Sequence, residues 1–242
     1  QGLHLEWGSV PSQSYLVMTA AILREAGFNL LLTSKEFKIS GGQLPKKVEI
    51  FIERDWSAAA FWCEAVALAS NAQIELVGFQ KESLQGDSRV LDYFEPLGVK
   101  HSFKNGSLFL QKAPVLPLGK FTANMISEPD LAQPLVTTLV LQKVPFEING
   151  LQTLVVKESN RIQALVEFAD RFGVELKTTM DSISCEVYPN EFVMENDLFS
   201  THEDHRIAMS LAPISLLFPL QIDNPKVVAK SYPEFWEHFA SL

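Results

Sequence analysis

The stretch Asp170-Arg171-Phe172-Gly173-Val174, with Glu175–Thr178, a polar turn and Ser182–Val187 behind it, decides the fold. A helical run ends on a glycine, a short strand follows, and a second strand returns from the turn. Glycine suits that junction because a helix commonly closes on a residue in the left-handed region, where a Cβ is penalised. The same design occurs at Leu23-Arg24-Glu25-Ala26-Gly27-Phe28 and at Phe94-Glu95-Pro96-Leu97-Gly98-Val99. The strand pairs there are Asn29–Leu32 with Phe37–Ser40, and Lys100–Phe103 with Leu108–Gln111.

A second kind of helix recurs between these units, each copy opened by carboxylates. Glu53-Arg54-Asp55 precedes Trp56–Ala69, Glu128-Pro129-Asp130 precedes Leu131–Leu141, and Glu203-Asp204 precedes His205–Leu217. Asp55, Asp130 and Asp204 recur at roughly 75 residues, as the glycines do, and self-similarity at a fixed period means stacked copies of one unit. The unit is β-α-β-α-β-β, which makes the chain α/β. The first copy lacks its opening half, and the last helix, Pro233–Leu242, has no strand pair after it. Together with a chain that opens on Gln1, this points to a fragment or processed product whose N-terminal sequence completes the architecture. A boundary is expected near Ile52.

Composition sets the outer limits. With 47% hydrophobic and 20% charged residues in 242, the chain can bury a substantial core. A net charge of -9 argues against nucleic acid, which needs a basic face. No stretch is long and apolar enough to span a bilayer and no signal peptide is visible. Cys63 and Cys185 have no metal or redox spacing, which fits a reduced cytoplasmic protein. An anionic ligand therefore has to be held by local cations. Lys157-Glu158-Ser159-Asn160-Arg161 and Thr201-His202-Glu203-Asp204-His205-Arg206 supply them, each at a helix start where unpaired N–H groups already favour anions.

If the copies are equivalent, loops before corresponding helices gather on one side. One set is Gly8–Ser14, Gln85–Arg89, Lys157–Arg161 and Ala229–Ser231; the other is Glu53–Trp56, Ser127–Asp130 and Thr201–Arg206. Lys157, Arg161, Arg206 and Lys230 then form an anion funnel, and Asp130 and Glu158 are candidates for proton transfer. Plainer roles stand beside these. Asp55 fits a helix N-cap, Glu158 a first-turn carboxylate favouring the helix dipole, and Lys157 a solvated side chain. His202 and His205 with two carboxylates between them suggest a metal, but the spacing is not that of a His-Glu-x-x-His zinc helix.

Taken in order, the segments Ser12-x-x-Tyr15 with Met18-Thr19, Asp55–Ala59, Gln85–Arg89, Pro129-Asp130, Lys157–Arg161, Asp204–Met209 and Ala229–Pro233 resemble the 5-enolpyruvylshikimate-3-phosphate (EPSP) synthase family. The likeness covers essentially the whole chain. It implies an enolpyruvyl transferase-like, inside-out α/β barrel-type fold of repeated βαβαββ units in two domains, with the site in the cleft between them. Residues 1–52 would be the C-terminal remnant of the shikimate-binding domain. Residues 53–242 would be the second domain of three units, the last incomplete.

The resemblance also implies a reaction: carboxyvinyl transfer from phosphoenolpyruvate to the 5-hydroxyl of shikimate 3-phosphate, on the route to chorismate and aromatic amino acids. Asp130 would accept the hydroxyl proton. Ser12, Tyr15, Thr153 and Lys157 would hold shikimate 3-phosphate, and Arg161, Arg206 and Lys230 would grip phosphoenolpyruvate. Glu158 would exchange a proton with the methylene carbon, assisted by Lys230, and His205 would support. No cofactor or metal is implied, and a cytoplasmic monomer is expected. Family ligands upstream of this start are missing, so the fragment alone is expected to be inactive. Ser14, Arg54, Thr153 and Asn160 depart from the usual Pro, Gly, Asn and Asp. The alternatives are the sister transferase acting on UDP-N-acetylglucosamine, a non-catalytic ligand-binding fragment, or a metal-dependent hydrolase using His202 and His205.

Overall fold

The structure is a computed structural model that describes every residue except 1, 9, 11 and 195. Four partial or complete units follow one another. The first comprises β1 (Leu3–Glu6), α1 (Gln13–Glu25), β2 (Leu30–Leu32) and β3 (Glu36–Ile39). The second has α2 (Trp56–Leu68), β4 (Gln73–Val77), α3 (Val90–Phe94), β5 (Val99–Lys104) and β6 (Ser107–Lys112). The third is complete: β7 (Phe121–Asn124), α4 (Ala132–Leu141), β8 (Phe146–Asn149), α5 (Arg161–Asp170), β9 (Lys177–Thr178) and β10 (Ser182–Cys185). The fourth holds β11 (Leu198–Phe199), α6 (His205–Leu211), β12 (Gln221–Ile222) and α7 (Phe235–Phe239).

The sheets repeat the same order. β1-β3-β2, β4-β6-β5 and β8-β10-β9 are antiparallel and place the last strand between the other two. The parallel pairs β7-β8 and β11-β12 add the opening strand of their units. Gly27, Gly98 and Gly173, which close the recurring helical runs, all have positive φ, of 87°, 89° and 66°. The expected β-α-β-α-β-β unit is thus realised in full in the third copy.

Helices lie inside and sheets outside. Every residue of α4, and every residue of α2 except Ala58, is buried. A helix apolar around its whole circumference belongs in a core. In β4 and β5 burial alternates along the strand, as expected of sheets with one wet face. The core runs from Trp56 to Phe235, whereas among the described residues of the first unit only Ala20 and Phe37 are buried. Glu64, inside α2, is an acidic residue buried within this interior. Burial pushes its carboxyl well above the usual range, and Thr137 hydrogen-bonds to it.

Some elements differ from expectation. The helix expected over His205–Leu217 stops being α-helical at Leu211 and continues as a 3-10 turn, Ala212–Leu216. Pro213 explains this, since its ring crowds the carbonyl four residues back and it has no N–H to give. Pro129 likewise opens a 3-10 turn, Pro129–Leu131, ahead of α4. The final helix shrinks to Phe235–Phe239. The largest departure from the β-α-β-α-β-β unit is at the start of the second copy. Residues 43–55 contain neither strand nor helix, and Phe51 and Ile52 are 63% and 78% exposed. Among the described residues nothing pairs with the outer edge of β4, and a groove of about 690 Å³ lies beside it, lined by Trp62, Phe79, Tyr232 and His238 among others.

Gly98 and Gly173 share a left-handed backbone but not a neighbourhood. A Cβ on Gly98 would lie 2.5 Å from the Ala113 carbonyl oxygen, whereas one on Gly173 would meet nothing within 4 Å. Gly173→Ala should cost about 1 kcal/mol in urea denaturation, from the backbone alone. Gly98→Ala should cost about 1–3 kcal/mol more from the overlap; equal losses would contradict this reading.

Candidate functional site

Most of the side chains of interest sit at or near helix starts, whereas Lys230 ends the 3-10 turn Pro225–Lys230, and three of the starts are capped by a side chain. Asp55 accepts the Ser57 N–H at 2.9 Å, Asn160 the Gln163 N–H at 3.2 Å, and Asp204 the Arg206 N–H at 2.9 Å. Each cap satisfies an amide that the helix itself cannot. Asp204 also sits behind two consecutive left-handed residues, His202 and Glu203, with φ of 51° and 55°. Asp223 holds that turn, accepting the Thr201 N–H at 2.8 Å and the Thr201 hydroxyl at 2.9 Å.

Arg161 is the hub. It is 1% exposed, and its guanidinium meets three carboxylates from three loops. Nε donates to Asp204 Oδ2 at 2.7 Å, Nη1 to Asp130 Oδ1 at 2.8 Å, and Nη2 to Glu158 Oε2 at 2.8 Å and Asp204 Oδ1 at 3.2 Å. The Ser159 hydroxyl adds a bond to Asp204 Oδ2 at 3.1 Å. A buried charge is tolerated only when paired and hydrogen-bonded, and here it is both.

Around this hub the remaining cations form a partly open rim. Lys157 Nζ lies 3.3 Å from Asp130 Oδ1, and Arg206 Nη2 lies 3.5 Å from Asp130 Oδ2. Arg206 Nη2 also donates to Ser57 Oγ at 3.2 Å. Lys230, the most exposed of them, pairs with Glu158 Oε1.

These contacts set the acidities. Burial pushes the Asp130 carboxyl up, but the charges of Arg206, Lys157 and Arg161 outweigh it and hold the group below its ordinary value. Burial acts the same way on Glu158, where the Lys230 hydrogen bond, its own backbone N–H and Arg161 bring it down to about 2. Both are therefore carboxylates at neutral pH, able to accept protons. His205 is shifted down by burial and then by Arg206, which favours the neutral ring; its Nδ1 is buried without a hydrogen-bond partner, 3.8 Å from Asp204 Oδ1.

The structure thus brings Asp130, Lys157, Glu158, Arg161, Arg206 and Lys230 into one cluster, with His205 beside it. Tyr15 stands at its edge. Burial raises its phenol to about 12, helped by the negative charges of Asp87 and Asp130. Ser12 is at the start of α1 in the left-handed region and donates its N–H to the Ile126 carbonyl at 2.7 Å, in the loop leading to Asp130. Residues 9 and 11 of the Gly8–Ser14 loop lie outside the described residues. Thr153 makes no bond to the cluster, and its hydroxyl is buried without a partner. His202 pairs with Glu167 at 3.2 Å, away from His205's neighbours.

Three participants had no assigned role in the sequence: Ser57, Asp87 and Asp204. All lie in segments singled out by their charge or order, yet hydroxyl and carboxylate orientation is invisible without the fold. The departures also find uses. Ser14 donates to the Ser127 carbonyl at 2.7 Å, Asn160 caps α5 as an Asp would, and the Arg54 side chain packs over Gly78.

The profile of a family described as EPSP synthase (3-phosphoshikimate 1-carboxyvinyltransferase) matches residues 2–239. A 3-phosphoshikimate 1-carboxyvinyltransferase of Bacteroides fragilis strain YCH46 is 36% identical over 232 residues, 95% of this chain and 56% of that protein. One from Clostridium kluyveri is 32% identical over 237 residues, covering 96% and 53% respectively. Among solved structures, an EPSP synthase from Acinetobacter baumannii superposes with a TM-score of 0.69 at 22% identity, covering 92% of this chain and 53% of that one. The enolpyruvyl transferase NikO from Streptomyces tendae gives 0.61 at 16% identity, with 100% and 55% covered. The fold is that of these transferases. The chain spans about half the length of the curated relatives it matches.

Two outcomes follow from the hub. Arg161→Gln strands three carboxylates around one another and should cost about 3–5 kcal/mol in chemical denaturation, as lost buried pairs do; a cost below 1 kcal/mol would refute the hub. The Glu158 carboxyl falls from 4.5 to about 2 on folding. Its stabilisation is therefore present above pH 4.5 and lost as pH drops towards 2. Glu158→Gln should flatten the stability profile in that window and nowhere above it.

Proposed function

The chain belongs to the EPSP synthase family, and from that premise we propose that it supplies the phosphoenolpyruvate-gripping wall of an enolpyruvyl transfer site. The reaction moves the carboxyvinyl group of phosphoenolpyruvate to the 5-hydroxyl of shikimate 3-phosphate and releases phosphate. The observation that carries this reading is the convergence of Asp130 and Glu158 with Lys157, Arg206 and Lys230 around one buried guanidinium.

In this scheme Asp130 accepts the proton of the 5-hydroxyl as the oxygen attacks C2 of phosphoenolpyruvate. Glu158 delivers a proton to C3, giving a tetrahedral adduct. It then takes a C3 proton back as the C–O bond to phosphate breaks. Glu158 is too acidic to donate while Lys230 and Arg161 neutralise it. An incoming phosphate or carboxylate that draws Lys230 away raises its pKa, since loss of an adjacent positive charge disfavours the anion. Substrate anions thus compete with internal carboxylates for the same cations, and binding itself readies the acid. Arg206 and Lys230 stabilise the leaving phosphate.

Ser12, Tyr15, Thr153 and Lys157 are proposed for shikimate 3-phosphate, with Tyr15 at the cluster's edge and Lys157 on Asp130 in support. His205 is proposed as a neutral supporting group beside Arg206. Residues 1–52 are read as the remnant of the shikimate-binding domain, which accords with the core beginning at Trp56. No helix of the described residues is long and apolar enough to cross a membrane. A cytoplasmic monomer is the reading taken from the family resemblance, and the two buried free cysteines accord with a reducing compartment.

The test is a chimera joining this chain to the N-terminal half of the Bacteroides fragilis relative, assayed for phosphate release. Turnover is expected with shikimate 3-phosphate and not with UDP-N-acetylglucosamine; the reverse preference would overturn the proposal. In the chimera, Asp130→Ala should lower kcat about 10²–10⁴-fold, as loss of acid–base assistance does. Arg206→Ala should raise the phosphoenolpyruvate KM about tenfold or more, the worth of a charge-assisted bond, with little change in melting temperature. The isolated chain should release no phosphate.

A further inference from the structure

Glu64 is a buried acidic residue that the reaction scheme does not use. It is 0% exposed on α2, and its Oε1 is hydrogen-bonded to the Thr137 hydroxyl of α4. The pairing follows from helix spacing. Ser57 starts α2 and Asp130 lies just ahead of α4, and both meet Arg206 Nη2, at 3.2 Å and 3.5 Å. Glu64 and Thr137 stand seven residues further along, about two turns inward. The two helices therefore run in parallel from the ion cluster, and the Glu64–Thr137 contact lies about 10 Å beneath it.

The helix α6 packs against both α2 and α4. Its Ser210 stands one turn inward from Arg206, on the face that Arg206 presents to Ser57 and Asp130. On α4, Gln133 is one turn nearer the cluster than Thr137. Among the described residues, Glu64 Oε2, Gln133 Nε2 and Oε1, and Ser210 Oγ are all buried without a hydrogen-bond partner. Folded proteins rarely leave such atoms bare, and polar groups just out of each other's reach are commonly bridged by water.

The protonation of Glu64 follows from counting hydrogens. A hydroxyl has one hydrogen and two lone pairs. Besides Glu64, the Thr137 hydroxyl has the carbonyls of Gln133 and Pro134 as acceptors, at 2.9 Å and 3.1 Å. An ionised Glu64 would take that one hydrogen and still be a carboxylate out of water, with no cation beside it among the described residues. Buried charge is tolerated only when paired. A protonated Glu64 donates to a Thr137 lone pair instead, and Thr137 gives its hydrogen to a backbone carbonyl. Charges on the neighbouring elements are engaged elsewhere. Arg206 and Asp130 meet at the start of α2, Lys112 of β6 bonds the Ala67 carbonyl near its end, and Arg89 of the 3-10 turn Gly86–Arg89 bonds Glu128. Burial, then the Thr137 bond, are the influences on the Glu64 carboxyl, and burial prevails.

We propose that Glu64, Gln133 and Ser210 enclose a buried water site between α2, α4 and α6, with Glu64 as a neutral acid donating to Thr137. A buried water makes about three hydrogen bonds. Here it can accept from Gln133 Nε2 or Ser210 Oγ and donate to Glu64 Oε2 and Gln133 Oε1. The site also fixes register, the best-attested use of buried polar groups. Sliding α2 one turn along α4 would part Glu64 from Thr137, so the helix starts that carry Ser57 and Asp130 stay level. It does not depend on which substrate the cluster binds.

Urea denaturation of the chain and of Glu64→Gln, between pH 5 and pH 7, tests the neutral acid. In the unfolded chain Glu64 ionises near its ordinary 4.5. Its contribution to stability is then full below that value and declines as pH rises towards the folded value. The folding constant of the unaltered chain, relative to Glu64→Gln, should fall about tenfold per pH unit; a flat ratio overturns the proposal. Should Glu64→Gln not fold, carbon NMR of the Glu64 carboxyl in the unaltered chain decides: protonated at pH 7 supports it, ionised overturns it. Water-selective NMR tests the site itself. The Gln133 side-chain amide protons should show water cross-peaks of opposite sign in NOESY and ROESY, the signature of a held water rather than of exchange. Their absence overturns the water site even if Glu64 is neutral.

Discussion

The guanidinium of Arg161, out of water and bonded to Asp130, Glu158 and Asp204, is the constraint on which the site depends. A charge at that depth is stable only if every partner stays in place. The partners come from the turn before α4, the start of α5 and the cap of α6, so the third and fourth units of the repeat are tied at one point. Each partner is anchored in turn. Asp204 also caps its own helix, and Asp130 also faces Lys157 and Arg206. The ion cluster thus performs what loop sequence alone could not: it fixes the directions of side chains on mobile element types.

That arrangement resolves how a chain of net charge -9 can offer an anion site. The positive charge is not spread over the surface but concentrated at one rim, where Lys157, Arg206 and Lys230 each lean on a carboxylate. In the unliganded chain these pairs compensate one another. On the proposed reading an anionic ligand enters by exchange, and the exchange alters the acidity of the carboxylates left behind. Binding and proton transfer are therefore linked through the same pairs.

Much of the fold was legible in the sequence because it is local. Gly27, Gly98 and Gly173 mark helix ends by backbone conformation, and Asp55, Asn160 and Asp204 mark helix starts by capping; neither depends on distant partners. The start of the second unit was not legible in the same way. The boundary expected near Ile52 falls in residues 43–55, which form neither strand nor helix, and whether such a segment pairs with a neighbouring strand is a question of long-range registry on which the pattern of residues is silent. Within the site, the ordered motifs located the charged residues, and six of them meet. What remained hidden was commitment: Arg161 stands at the first position of an amphipathic helix, where sequence gives no sign that its donors are spent internally. Asp87 was hidden for a related reason, since its turn packs against α2 of its own unit and against Ser14 of α1 from the first.

On the proposed reading Arg161 holds the cluster while Arg206 and its neighbours meet the ligand. Side-chain nitrogen NMR of the arginines during a phosphoenolpyruvate titration tests this directly. The Arg206 signal should move saturably, and the Arg161 Nε–H, bonded to Asp204, should remain protected from solvent exchange throughout. An Arg206 signal that does not move, or an Arg161 Nε–H that exchanges freely before ligand is added, would contradict it.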